Sequence, residues 1–266
     1  MEPENNVFTL VTGSSLGIGK AISKELASRS HNLILNSLPG QGLPDLCHEL
    51  ESAFKIRTYY VESDLATEMG PENLFEFIQN NRLRVNILIN NAGNGYEGPI
   101  EGYSQKQIDH MILLNVRAMT LLTVFFTPEL KTHNRSYILN VSSFGGYLPT
   151  AYKSVYLATK SYVYYLTKAL ESELKGSSLK TCVAVPSAVR TNKNTLDRIE
   201  RNGWFGQKSA LNPEEVAVEV LNGMFKGKKV ILPGRLSRLF FNIALFVPEG
   251  IMMLLTRRIF KNYRQG

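Results

Sequence analysis

VFTLVTGSSLGIGKAI, residues 7–22, decides how the rest of the chain is read. Val7 to Thr12 is a short β-branched and aliphatic run stopped by glycine, the signature of a strand, and apolar residues at helical spacing begin at Ile18. Between them lies Thr12-Gly13-Ser14-Ser15-Leu16-Gly17-Ile18-Gly19. Glycines there permit a tight strand-to-helix turn and let an anionic group approach the backbone N–H groups of a helix N-terminus, whose partial positive charge favours it. The spacing is G-x-x-x-G-x-G, not the G-x-G-x-x-G of the commonest dinucleotide turn. Alone it is consistent with a phosphate cradle or with a purely structural turn.

Working outward, the same alternation repeats. Val7–Thr12, Leu33–Asn36, Arg57–Val61, Asn86–Asn90, Tyr137–Val141, Thr181–Val185 and Val230–Leu232 read as strands, and 18–29, 43–53, 71–80, 104–130, 152–175 and 213–225 read as helices. Strands apolar on both sides and separated by helices imply a parallel sheet covered on both faces through right-handed crossovers. The expectation is an α/β, doubly wound Rossmann-type fold of about seven strands in one domain, residues 1–234, followed by an apolar, basic, helical tail at 235–266. The chain of 266 residues is long enough to bury a full core.

The formal net charge of +7 is unevenly spread. From Arg235 onward Arg235, Arg238, Arg257, Arg258, Lys261 and Arg264 face one acid, Glu249, so the body is nearly balanced. With the excess in an apolar tail and no recognition motif beside it, nucleic acid is not an expected partner. Cys47 and Cys182 lie far apart, which excludes a disulfide framework and a zinc-ligand spacing. The start, MEPENNVFTL, has early acids and no basic segment before its apolar run, so it does not resemble a secretory signal and a cytoplasmic location is expected.

The second strand ends in Asn36-Ser37, without the carboxylate that would hold a ribose 2′-hydroxyl. Nothing there repels a 2′-phosphate, so Ser37, with Asn36, is expected to accept one, and NADP(H) is expected over NAD(H) although no Arg or Lys adjoins them. In the helix at 152–175, Tyr156 and Lys160 stand four residues apart on one face, ~6 Å along the axis. A cation beside a phenol stabilises the phenolate and brings its pKa toward neutral, which would let Tyr156 exchange a proton with a substrate oxygen. Tyr164 and Lys168 repeat the spacing, but ~12 Å further along and rotated away from the strand ends where ligands bind. Asn140-Val141-Ser142-Ser143 precedes Tyr156 at the end of the fifth strand.

This combination resembles the short-chain dehydrogenase/reductase family over residues 7–191. Thr12–Gly19 is similar to its TGxxxGIG turn, Asn90-Asn91-Ala92-Gly93 to its NNAG segment, Asn115 to its helix asparagine, and Ser143, Tyr156 and Lys160 to its catalytic set. The resemblance implies hydride transfer between nicotinamide C4 and a carbonyl or alcohol carbon. Tyr156 would give or take the proton, Ser143 would hydrogen-bond the same oxygen, Lys160 would tune Tyr156 and hold the nicotinamide ribose, and Asn115 would hold a relay water. It further implies a dinucleotide site at Gly13, Ser15, Gly17, Ile18, Gly19, Asp64, Leu65, Asn91, Ala92, Gly93, Pro186, Val189 and Thr191, with Asp64 either contacting adenine or capping the loop after the third strand. A homodimer or tetramer through the helices at 104–130 and 152–175 is also implied. One departure is Pro186-Ser187, where the family has Pro-Gly, so that a side chain stands near the expected nicotinamide path.

Phe144, Tyr147, Leu148 and Pro149, with Tyr96, Trp204 and Phe205, would rim an apolar pocket for a bulky lipophilic ketone or alcohol, or would pack a lid. In the tail, Leu239–Val247 and Ile251–Leu255 are each too short to span a bilayer and are broken by Pro248-Glu249-Gly250. Their basic flanks suit helices resting on anionic lipid, and they equally suit a cover over the substrate mouth or a subunit contact. Two other functions are weighed against the reductase: a 3-ketoacyl-thioester reductase docking an acidic carrier on Lys226–Lys229 or the tail, and a nucleotide-binding sensor or scaffold without turnover.

Overall fold

The computed structural model describes residues 6–147, 151–191, 193–201, 207, 210–244, 247, 250 and 251. Its centre is a sheet of seven parallel strands in the order β3-β2-β1-β4-β5-β6-β7: β1 Val7–Thr12, β2 Asn32–Ser37, β3 Thr58–Glu62, β4 Arg84–Asn90, β5 Ser136–Val141, β6 Leu179–Ala184 and β7 Val230–Ile231. The order doubles back after β3, so the crossover to β4 passes to the other side of β1, and ligand sites in such sheets form at that reversal. The helices are α1 Gly17–Ser28, α2 Leu43–Phe54, α3 Gly70–Asn80, α4 Gln105–Ile112, α5 Met119–Leu130, α6 Ser154–Glu173, α7 Lys193–Arg201, α8 Pro213–Phe225 and α9 Arg235–Ala244, with a π-helical turn, Leu113–Ala118, joining α4 to α5.

Two apolar cores cover the two faces. Ile22 and Leu26 of α1, Leu46 and Leu50 of α2 and Val216, Val220 and Leu221 of α8 pack on one. Leu74 and Ile78 of α3 and Leu122 and Phe126 of α5 pack on the other. The central strands are buried on both sides, which is why their sequences run apolar without alternation. Gln105–Leu130 is long and apolar enough by composition to cross a membrane, but its inner side packs on β4 as a core helix.

Every strand read from the sequence is present, with ends displaced by one or two residues. The helix expected over 104–130 is interrupted by the π turn, and α7 falls where the sequence reading assigned neither helix nor strand. The periodic signal of α7 is only Leu196 and Ile199, and Ile199 alone of the two is buried.

A polar ladder crosses the sheet beneath the strand ends. The Asn90 amide donates to Thr123 Oγ1 of α5 (3.2 Å) and to Asn140 Oδ1 on β5 (2.9 Å), and Asn140 Nδ2 donates to Thr167 Oγ1 of α6 (2.9 Å). It fixes the heights of β4, β5 and α6, the elements that carry the site. Asn140→Leu, which leaves the Asn90 amide short of an acceptor in the sheet, is expected to cost about 1–3 kcal/mol by urea unfolding; an unchanged midpoint would show that the ladder does not hold these elements.

Candidate active site

All seven strands end at one edge, and the residues at or just after their ends gather there: Gly13, Ser37, Ser63-Asp64, Asn91, Ser142-Ser143, Val185-Pro186 and Leu232. Tyr156 lies in the first turn of α6, half-buried, and Lys160 one turn later with only 4% exposure. The Lys160 ammonium donates to the Val141 carbonyl (2.9 Å), and burial pulls its pKa from the ordinary lysine value down to about 8. Ser142 Oγ donates to the Lys160 carbonyl (2.7 Å), which seats the end of β5 against this turn. Ser143 follows in extended conformation, its side chain half-exposed at the mouth of the site.

Asn115 sits inside the π turn with 1% exposure. Its Oδ1 accepts from Asn94 N (2.9 Å), and its amide donates to the Asn94 carbonyl (2.8 Å) and to Thr159 Oγ1 (2.9 Å). Both amide hydrogens are thus engaged in tying the Asn91–Asn94 loop to α6. A second clamp lies on the rim, where Gly98 N donates to the Tyr152 carbonyl (2.8 Å) and Lys153 pairs with Glu97 (2.8 Å). The Tyr164 repeat behaves differently: it packs against Tyr147 and Tyr165, and burial raises its pKa, away from what a base requires.

On the dinucleotide side, Thr12 Oγ1 accepts from both Asn91 N and Ala92 N (3.0 Å each), and the Asn91 amide reaches the Thr12 and Gly13 carbonyls (2.9 and 3.0 Å). The turn after β1 and the NNAG segment are therefore one unit. Gly19 is required by close approach, since a Cβ there would stand 2.5 Å from the Asn91 amide nitrogen. No side chain caps the N-terminus of α1, where Leu16 is the capping residue, so its first N–H groups face the turn at Ser15, Gly17 and Ile18. Thr191 lies against Gly17, Val189 is buried, and the Pro186 carbonyl accepts from Phe144 N (2.9 Å). A cleft of about 370 Å³ lined by Gly17, Lys20, Lys24, Arg190, Thr191 and Glu214 adjoins this turn, with Lys24 paired to Glu49 and Arg190 bonded to the Ala210 and Gln207 carbonyls. The turn fits a dinucleotide: orphan N–H donors for the pyrophosphate, and an edge with side chains trimmed away.

Several expected details take another form. Asn36 is not available to a 2′-phosphate: its amide is spent on the Val61 and Ser63 carbonyls and Ser63 Oγ, and Ser37 Oγ donates to the Leu38 carbonyl (3.1 Å). Asp64 Oδ1 accepts from Ala66 N (2.8 Å), so it caps its loop while also bordering a cavity of about 620 Å³ with Leu113. Leu65 is buried in the core. Phe144 and Tyr147 pack on Phe241 of α9, whereas Leu148, Pro149, Trp204 and Phe205 lie outside the described residues. Lys226–Lys229 immediately precedes β7, on the sheet edge opposite the site.

The sequence matches the short chain dehydrogenase family model over residues 8–201. The chain belongs to that family. It is 26% identical over 212 residues to an uncharacterised oxidoreductase of Staphylococcus epidermidis, covering 80% of this chain and 88% of the relative. It is 29% identical to the human very-long-chain 3-oxoacyl-CoA reductase, covering 72% of this chain and 64% of that one. A short-chain dehydrogenase from Sphingobium yanoikuyae, solved in complex with NADPH, superposes with a TM-score of 0.76 at 24% identity, covering 91% and 96% of the two chains. The protein is an NAD(P)-dependent oxidoreductase.

In this short-chain dehydrogenase Thr12 was legible only as the start of the glycine turn, and Thr159 and Gly95 were not singled out. Thr159 looks like an ordinary helix residue, and only hydrogen bonds reveal the two threonines as joints between elements. Gly95 lies against the Tyr156 ring, where a Cβ would come within 2.8 Å of Cγ and push the phenol aside. Its position just after NNAG was the one available signal.

The buried ammonium also gives a stability prediction. Native Lys160 binds its proton less tightly than an unfolded lysine, so stability rises with pH from about 8 to the ordinary lysine value, and the whole cost of burying the charge is carried at pH 7. Lys160→Met removes that cost and loses one bond to a carbonyl. The thermal midpoint at pH 7 is expected to rise by roughly 3–6 °C, about 1–2 kcal/mol, while turnover collapses. A lowered midpoint would mean that the Val141 bond outweighs desolvation.

Proposed function

We propose that this short-chain dehydrogenase reduces carbonyl groups, or oxidises the corresponding alcohols, on hydrophobic substrates, with Tyr156 as the proton donor or acceptor. The observation that carries the reading is a lysine ammonium buried one helical turn from a half-exposed tyrosine, at the edge where all strands end. A bound nicotinamide supplies or takes hydride at C4. The chain does the rest: Ser143 donates to the substrate oxygen, the Lys160 cation stabilises the Tyr156 phenolate and binds a ribose hydroxyl, and proton resupply runs past Asn115. Because the Asn115 amide hydrogens are both engaged, its share of that relay falls to the backbone of the π turn.

The substrate wall is apolar and aromatic, built from Phe144, Tyr147 and Phe241, which favours a bulky lipophilic ketone or acyl chain over a small polar one. A thioester held by an acidic carrier on Lys226–Lys229 finds no support, because that patch faces away from Tyr156. For the dinucleotide, the missing carboxylate on β2 favours NADP(H). The preference is modest, since no cation adjoins Ser37 and Glu62 on the neighbouring strand accepts from Gly40 N (3.0 Å) nearby. Exposed Ile112, Val124, Tyr162 and Tyr165 on the α4–α5 and α6 surfaces suit a homo-oligomer.

Tyr156→Phe removes only the proton-transferring hydroxyl, so nicotinamide fluorescence should report unchanged NADPH affinity while turnover on an apolar ketone panel falls at least 100-fold, about the loss expected of a general acid. Near-normal turnover would remove Tyr156 from the mechanism, and failure of the wild-type protein to bind NADPH or NADH would remove the enzyme reading.

The outer face of α9 supports a second contact. Leu236, Leu239 and Ile243 are exposed along one stripe beside exposed Arg235, a pattern suited to an anionic lipid surface. Sedimentation with vesicles should show binding to phosphatidylserine-containing membranes that weakens in salt and in Leu239→Glu; equal partition to neutral vesicles, or none, would exclude the contact.

A further inference from the structure

Where the family has glycine after proline, Ser187 offers a hydroxyl, and the structure shows what takes it up. Ser237 Oγ on α9 donates to Ser187 Oγ at 2.8 Å, and Ser237 is only 4% exposed. One turn later Phe241, also buried, packs on Phe144 (6.2 Å between ring centroids) and Tyr147 (4.5 Å). The helix thus grips two loops at once. One begins at Ser143, and the other runs from Pro186 to Thr191. The two are joined by the bond from Phe144 N to the Pro186 carbonyl.

The helix is itself anchored to the body. Gly234 N and Arg238 both donate to Glu219 Oε2 on α8 (3.1 and 3.0 Å). A short, part-buried hydroxyl bond between two anchored elements fixes the height of Ser187 relative to α9. A glycine would leave the same backbone without a lateral handle.

We propose that Ser237 and Ser187 form a positioning pair through which α9 sets the loop 186–191 against Ser143 and Tyr156. This rests on the dinucleotide reading above for its effect on chemistry. Neither residue touches the reacting atoms. Their bond holds the loop that would flank the nicotinamide, and Phe241 holds the neighbouring wall, so hydride geometry depends on a helix outside the motif-bearing region. The pair acts on the nicotinamide half of the dinucleotide and leaves the adenosine half alone, because the turn after β1 and the Asn91–Asn94 loop are secured independently by Thr12 and Asn115.

The test uses the full chain with Ser187→Ala, Ser237→Ala and the double variant. Affinity is measured for the dinucleotide that the wild type binds and for ADP-ribose, which lacks the nicotinamide, and backbone hydrogen exchange over residues 185–191 is followed without ligand. Each single variant is expected to bind the dinucleotide about three- to tenfold more weakly, as for loss of one neutral hydrogen bond, with ADP-ribose affinity unchanged and the double variant no worse than either single. Exchange in the loop should accelerate in Ser237→Ala. A merely structural role would lower the thermal midpoint and weaken both ligands alike. Wild-type affinity and exchange in both single variants, or losses that multiply in the double, overturn the pairing. Faster loop exchange in a protein that binds neither dinucleotide would instead overturn the proposed function and leave the mechanical link standing.

Discussion

A single buried ammonium organises the candidate site at the strand ends. Taking a cation out of water is costly unless it is held by acceptors; the Val141 carbonyl offsets part of that cost for Lys160, and the lowered pKa is the measure of what remains. Because the charge must sit there, its surroundings are constrained in turn. Ser142 is bound to the Lys160 carbonyl, Thr159 to the Asn115 amide, and Gly93 stands close enough to the ammonium that a Cβ would come within 2.9 Å. The end of β5, the loop after β4 and the π turn all converge on one helical turn of α6. A lysine kept in the core against its solvation preference is a stability cost tolerated at a functional site, since a methionine there would pack without penalty.

The same convergence explains why the site's parts come from distant stretches of sequence yet share one level. Parallel strands place all their carboxyl ends on one edge, and the Asn90–Asn140–Thr167 ladder pins the relative heights of β4, β5 and α6. Thr12 pins β1 to β4 in the same way. Apolar packing alone is non-directional and would allow slippage among elements with similar faces; directional bonds in the sheet remove it.

What was legible in the sequence follows from this. Strand and helix positions were readable because each element is buried along a continuous stripe, and the placement of Thr12–Gly19 in a strand-to-helix turn and of Tyr156 and Lys160 on one helical turn was readable because it is set by local spacing. Side-chain direction was not. Asn36 and Ser37 looked available to a 2′-phosphate, but Asn36 faces across the sheet to Val61 and Ser63, a fact set by register with β3. The π turn at Asn115 leaves no mark in composition. Helix α7 was missed because it is short and strongly polar, with only Leu196 and Ile199 to mark its apolar side. The partner of Ser187 lay fifty residues away, beyond any local rule.

Composition separated the tail from the body at residue 235, and the contacts run across that line. Ser237 and Phe241 face inward to Ser187, Phe144 and Tyr147, while Leu236, Leu239 and Ile243 face out. A cover over the site uses one side of this cylinder, whereas a lipid surface or a subunit contact would use the other, so the first does not compete with the other two for the same residues. An apolar outer stripe is unfavourable in water, and whatever shields it acts on a rigid element only one hydrogen bond from the loop beside the proposed nicotinamide position. A surface that rotated α9 by even part of a turn would move Ser237 out of reach of Ser187 and Phe241 off Tyr147 together. Any contact made on the outer face would therefore be linked mechanically, by the helix itself, to the geometry on its inner face.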